Sequence, residues 1–193
     1  MLGLIENRSN IVTASFKNDG DVIILLGESN GHVGGTEYLK CVHGLVVGNA
    51  PALDLDTEKR LHEVCLLAIE RRLVNSAHDC SEGGLAVALA ECCIMNREKS
   101  IGCTIDLTSS AIRPDFLLFG EDQSRILISI TSEKRSAIEN LAADKGVPMK
   151  ILGRVGGPSM VIEGRLVIDI KDLRQSYESL SIEMEEEKGY NFT

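Results

Sequence analysis

The chain has 193 residues, enough for one domain or at most roughly one and a half. It is 44% hydrophobic and 25% charged, a soluble globular composition. Its 20 basic and 29 acidic side chains sum to −9, which argues against nucleic-acid or anionic-membrane surfaces, and 4% aromatics without tryptophan argue against base-stacking platforms.

Met1 to Arg8 has a short apolar run but neither a basic leader nor a cleavage site, so no secretory signal is expected. No stretch approaches the roughly 18 apolar residues of a membrane span. The expected location is the cytoplasm, where the six cysteines, which form no CxxC pair, should be reduced and buried. The sequons Asn7-Arg8-Ser9 and Asn191-Phe192-Thr193 are then chance.

Ile11 to Phe16 reads as a strand, and Asn18 to Asp21 as a turn. Val22 to Leu26 is a continuous apolar run, the pattern of a strand buried on both faces. A glycine-rich loop, Gly27 to Gly35, leads to a short helix from Thr36 to His43. Residues 58–73 form the clearest amphipathic helix, with Leu61, Cys65, Ala68 and Leu73 on one face and Asp56 or Thr57 as cap. Val74 to His78 reads as a short strand. Leu85 to Met95 is a helix whose one polar residue is Glu91, so it belongs between layers.

Ile101 to Leu107 and Ile126 to Ile130 read as strands. Ser136 to Lys145 reads as a helix capped by Gly146, with Pro148 just beyond. Met149 to Val155 is a strand, and residues 159–170 form a hairpin turning at Glu163-Gly164. A last helix covers Lys171 to Leu180. No repeat or linker divides the chain. The expectation is one α/β (α+β) domain with a mixed sheet over residues 1–182, followed by an acidic tail, 183–193, that frays.

The common nucleotide fingerprints GxxxxGK[ST] and GxGxxG are missing. The four histidines are scattered, so a zinc site would need distant segments. Vicinal Cys92-Cys93 lie in the apolar helix and read as core. Three segments carry polar chemistry. In His78-Asp79-Cys80-Ser81-Glu82-Gly83-Gly84-Leu85 a strand ends and two glycines open a buried helix. Free N–H groups there could take a phosphate, with Asp79 holding Mg²⁺. Equally, Asp79 or Ser81 could be a plain N-cap and the glycines could serve helix packing. Phe119-Gly120-Glu121-Asp122-Gln123-Ser124-Arg125 is either a polar cluster facing a substrate or an ordinary turn with a solvated ion pair. Gly34-Gly35-Thr36 is either an anion cradle or a flexible turn.

Together these segments resemble a known family. Leu26-Gly27-Glu28 with Gly34-Gly35-Thr36-Glu37-Tyr38-Leu39, then His78-Asp79-x-Ser81-x-Gly83-Gly84-Leu85, Phe119-Gly120-Glu121-x-Gln123-x-Arg125 and Gly153-Arg154-Val155 look like the C-terminal part of phosphoribosylformylglycinamidine synthase, a member of the aminoimidazole ribonucleotide synthetase superfamily. The resemblance runs in order from about Gly3 to Leu180. It implies a three-layer domain like the C-terminal domain of aminoimidazole ribonucleotide synthetase. It also implies a parent enzyme of purine biosynthesis, an ATP-dependent C–N ligase that turns formylglycinamide ribonucleotide into the amidine. ATP phosphorylates the amide oxygen, and ammonia displaces the phosphate.

The family enzyme is several times longer, so the resemblance implies a domain inactive alone. Its N-terminal-type subdomains supply the catalytic His, most ATP contacts and several Mg²⁺ ligands. A glutaminase subunit or domain and a small bridging subunit are the implied partners, with a homodimer as a further expectation. The matching positions lie on the pseudo-symmetric, auxiliary side. There Gly34, Gly35, Ser81, Gly83, Gly84 and Gln123 would bind phosphate or substrate, and Asp79 and Glu121 would share Mg²⁺. Two alternatives stay open. One is a structural or regulatory brace with a degenerate nucleotide site. The other is the C-terminal domain of a selenophosphate or thiamine-phosphate enzyme, against which the Phe-Gly-Glu-x-Gln-x-Arg segment speaks. A domain of this kind should expose an apolar patch where another subdomain docks.

Overall fold

The computed structural model describes Ile5 and residues 7–188. Its centre is β1 (Val22–Leu26), whose five residues are all buried. Successive side chains of a strand point to opposite faces. Ile23 and Leu25 therefore enter one core, and Val22, Ile24 and Leu26 the other. β1 pairs antiparallel with β4 (Ile126–Ile130) on one side and β5 (Met149–Val155) on the other, with a bulge at Ile23/Ile24 against β5.

β2 (Ser76–Asp79) extends the sheet beyond β4. β3 (Cys103–Ile105), β6 (Ser159–Ile162) and β7 (Leu166–Asp169) extend it beyond β5, giving the order β2-β4-β1-β5-β3-β6-β7. The β3–β6 pairing is parallel and the other five are antiparallel, so the sheet is mixed as expected.

Helices cover both faces, which makes three layers. On one face α3 (Gly84–Ile94), α4 (Pro114–Phe119) and the start of α6 (Ile170–Lys188) pack over Leu25, Ile105 and Leu127. On the other, α2 (Leu55–Glu70) and α5 (Arg135–Lys145) bury Leu61, Val64, Ile138 and Leu141 against Ile24, Ile128 and Ile130. α1 (Glu37–His43) buries no residue of its own. It is held by its own Tyr38, which stacks on Phe119 of α4 at 5.2 Å between ring centroids and donates to Asp115 at 2.9 Å.

Several boundaries differ from the sequence reading. Ile11 to Phe16 is not a strand. It passes the outer edge of β2, where Thr13 O accepts from Ala77 N at 3.3 Å, and then turns Phe16 into the α3-side core. α2 starts at Leu55, capped by Asp54 rather than by Asp56 or Thr57, and the Asp54 carboxylate accepts from both of those amides. Past Glu70, Arg72 takes φ 55°. β2 begins at Ser76 rather than Val74, and β3 is shorter than Ile101 to Leu107. α4 has no counterpart in the sequence reading, because six residues are too short to show a helical period. α6 continues past Leu180 to Lys188, and residues 189–193 of the expected tail lie outside the described residues. Of the cysteines expected in the core, Cys41 is exposed and Cys65 half-buried, whereas Cys80, Cys92, Cys93 and Cys103 are buried.

The register brings four loops to one sheet edge. Leu26, at the end of β1, stands opposite both Ile126 and Met149, and Asp79, at the end of β2, opposite Ile126. All three polar segments meet at that edge.

Candidate functional site at the sheet edge

The chain leaves β1 through Gly27, which has φ 92° and donates its N–H to Pro148 O at 2.8 Å. A Cβ there would sit 2.0 Å from Ser124 O, so only glycine lets the two loops pass so closely. The segment Gly120 to Arg125 then acts as a buried brace. Asp122 is 5% exposed and Arg125 2%. The Asp122 carboxylate accepts from Asn30 N and Gly31 N at 3.0 Å and from His32 N at 3.2 Å. Arg125 donates to Asp122 O at 3.0 Å, Gly120 O at 2.7 Å and Ser29 Oγ at 3.1 Å. Neither sequence alternative, substrate-facing cluster or solvated turn, describes this arrangement.

Glu121 points to the other side. Its Oε1 accepts from Gly83 N at 2.8 Å and from Glu37 N at 3.0 Å, tying the start of α3 to the start of α1. Gly83 is the N-cap of α3 and makes no side-chain cap bond of its own. The cap comes from a carboxylate 38 positions away. Ser81 instead donates to the Asp79 carboxylate. That hydrogen bond is the first cause holding the Asp79 carboxyl below its ordinary pKa.

The glycines are used for packing. Gly83 and Gly84 both have positive φ. A Cβ on Gly83 would lie 2.4 Å from Val87, and one on Gly84 2.5 Å from Gly120 O. Gly84 N is bonded to Ser81 O at 3.1 Å, and Gly35 N to Val47 O at 2.9 Å. Gly34 crosses Gly48, where an added Cβ would come within 2.7 Å of Gly34 Cα. Gln123 is exposed and lines, with Gly34 and Asp122, a groove of about 520 Å³.

These residues do not form an open phosphate cradle. The amides of Gly35, Gly83 and Gly84 already have partners within the chain. Glu121 is brought to Gly83 rather than to Asp79, and among the described residues no set of three His, Cys, Asp or Glu side chains could hold a metal.

Two features escaped the sequence reading. His78 Nε2 lies 2.8 Å from Glu91 Oε2, and this bond is the first cause raising the His78 pKa. Glu91 is thus the polar partner that the apolar α3 keeps for β2. A cavity of about 440 Å³ opens beside Gly27, with Leu25, Leu85, Leu107 and Leu117 in its lining and Glu28 and Lys150 among its charged groups. It has the size of a small-ligand pocket. Its lining comes from five separate segments, so no motif announces it.

Residues 18–163 match the family model "AIR synthase related protein, C-terminal domain". Phosphoribosylformylglycinamidine synthase subunit PurL of Anaeromyxobacter sp. is 45% identical over 184 residues, 92% of this chain and 24% of that protein. The chain thus spans about a quarter of the length of that relative. Among solved structures, Thermotoga maritima PurL complexed with FGAR superposes with a TM-score of 0.72 at 21% identity, covering 86% of this chain and 30% of that one. Thiamine-monophosphate kinase of Stenotrophomonas maltophilia gives 0.56 at 21% identity, over 81% and 54%. At that identity both likenesses concern the fold.

Proposed function

From the premise that the chain belongs to the AIR synthase related protein C-terminal domain family, we propose that it is the C-terminal domain of a phosphoribosylformylglycinamidine synthase. The parent enzyme would convert formylglycinamide ribonucleotide to its amidine, in the cytoplasm, with ATP, Mg²⁺ and ammonia from a glutaminase partner. The observation that carries this reading is the 45% identity over 92% of the chain to a PurL subunit. A thiamine-phosphate enzyme is the poorer reading, because the 45% identity over 92% of the chain is to a PurL subunit.

Within such a parent, this domain is a brace rather than a catalytic unit. Its sheet-edge donors bind its own carboxylates, and its candidate ligands form no metal set. ATP, Mg²⁺ and the reacting amide would be held by parts of the polypeptide outside these residues.

A domain swap tests the assignment. Replacing the matching quarter of the Anaeromyxobacter relative with this chain should restore purine-independent growth to a synthase-deficient strain. A soluble, folded chimera that fails to restore growth, while the unaltered relative succeeds, overturns it. The isolated chain should show no turnover of formylglycinamide ribonucleotide with ATP, Mg²⁺ and ammonia.

A further inference from the structure

We propose that Glu121 is an internal anion. Its carboxylate occupies the place a phosphate would need, and with Asp122 it closes the sheet-edge loops to nucleotide. The family resemblance implies Mg²⁺-bound phosphate among Asp79, Gly83, Gly84, Gly34 and Gly35. The geometry disagrees. Two adjacent carboxylates face opposite ways and between them accept five backbone N–H groups. Glu121 takes those of Gly83 and Glu37. Asp122 takes those of Asn30, Gly31 and His32. Hydrogen bonds from amides to an ionised carboxylate are short and strong, and they are the interactions a bound phosphate would make.

A tethered carboxylate is present at an effective concentration in the millimolar range or above, so a free anion of ordinary affinity does not displace it. Arg125 fixes the segment from behind, through Asp122 O and Gly120 O, which leaves Glu121 little freedom to swing away. The exposed surroundings add no attraction for an anion. Glu28, Asp79 and Glu82 are acidic, and nearby Lys40 is already bound to Glu37 at 2.9 Å. The inference concerns this chain alone and stands whether or not the parent is a synthase.

The test is anion rescue on the full chain. Glu121→Ala leaves the Gly83 and Glu37 N–H groups facing a hole the size of a carboxylate. Acetate or inorganic phosphate should fill it and raise the Tm by about 3 °C or more over equal ionic strength of chloride. The wild type should gain nothing from the exchange. In the wild type, inorganic phosphate or Mg²⁺-ADP at about 10 mM, well above a Kd of about 1 mM, should leave the Gly83 and Gly31 amide resonances unmoved. Saturable shifts at Gly83 or Gly31 in the wild type overturn the proposal, as does an alanine variant that acetate stabilises no more than it does the wild type. If Glu121→Ala does not fold, the wild-type titration decides alone.

Discussion

The sheet-edge loops and the strap of residues 42–55 are both largely irregular backbone, yet they are held in opposite ways. At the edge, buried Asp122 and Arg125 bind main-chain groups of two loops, and order comes from polar satisfaction. The strap exposes Val42, Leu45, Val46, Val47, Leu53 and Leu55, with Val46 at 82% and Leu55 at 71%, and no Lys, Arg, Asp or Glu lies between Lys40 and Asp54. Its ties are few: Val47 O to Gly35 N at 2.9 Å, Asn49 O to His32 Nε2 at 2.7 Å, and the crossing of Gly48 over Gly34. The contrast teaches that a loop can be well ordered without an apolar cover. It also shows that a row of apolar side chains can be left uncovered by the chain's own packing. A row of exposed apolar residues of this kind marks a surface suited to contact with another surface.

The largest expected effect breaks the polar half. Asp122→Ala strands three amides and should cost about 3–5 kcal/mol in urea unfolding. Val46→Ser on the strap should stay within about 0.5 kcal/mol. Equal losses from the two would erase the contrast. Next comes the crossing that joins the regions. Gly48 has φ 90° and no room for a methyl group, so Gly48→Ala should cost roughly 1–3 kcal/mol. A neutral result would show that the strap is not fastened there.

Charge next to the brace should matter in a pH-dependent way. The His78 pKa is raised, first by its bond to Glu91 and then by the charges of Glu91 and Asp79. A raised folded-state value means that this contribution is complete below the unfolded pKa of about 6.5. It disappears as pH rises through the folded value. Unfolding midpoints from about pH 6 to pH 9 should show that decline in the wild type, and Glu91→Gln should flatten it. An unchanged slope in the variant would remove His78 from the account. The smallest effect concerns the strap alone. If it drives self-association, Val46→Ser with Val47→Ser should shift sedimentation toward monomer with little change in stability.

The two regions also differ in how far they could be read from sequence. The continuous apolar run at Val22–Leu26 and the one at Ile126–Ile130, broken by Ser129, announce buried strands, because burial on both faces demands them. The α3 helix is legible for the same reason. Ile11 to Phe16 misleads: it runs beside the free outer edge of β2, where Ala77 N donates to Thr13 O, but does not form a ladder there. The brace was legible only as polar crowding at Glu121, Asp122 and Arg125. Its partners lie 84 and 38 positions from Glu121, and up to 92 from Asp122, and local capping rules do not reach so far. Asp79 and Ser81 looked like caps or ligands because they are near in sequence, while the working cap came from Glu121. The hint was a helix opening on Gly83-Gly84 with no local side-chain cap.

Amide hydrogen exchange tests the central claim, that Glu121 and Asp122 hold the sheet edge closed. The amides of Gly31, His32, Glu37 and Gly83 should exchange slowly in the wild type. Those of Glu37 and Gly83 should speed up together in Glu121→Gln, while Gly31 and His32 stay protected by Asp122. Wild-type exchange at Gly83 and Gly31 as fast as in an unfolded chain would contradict it.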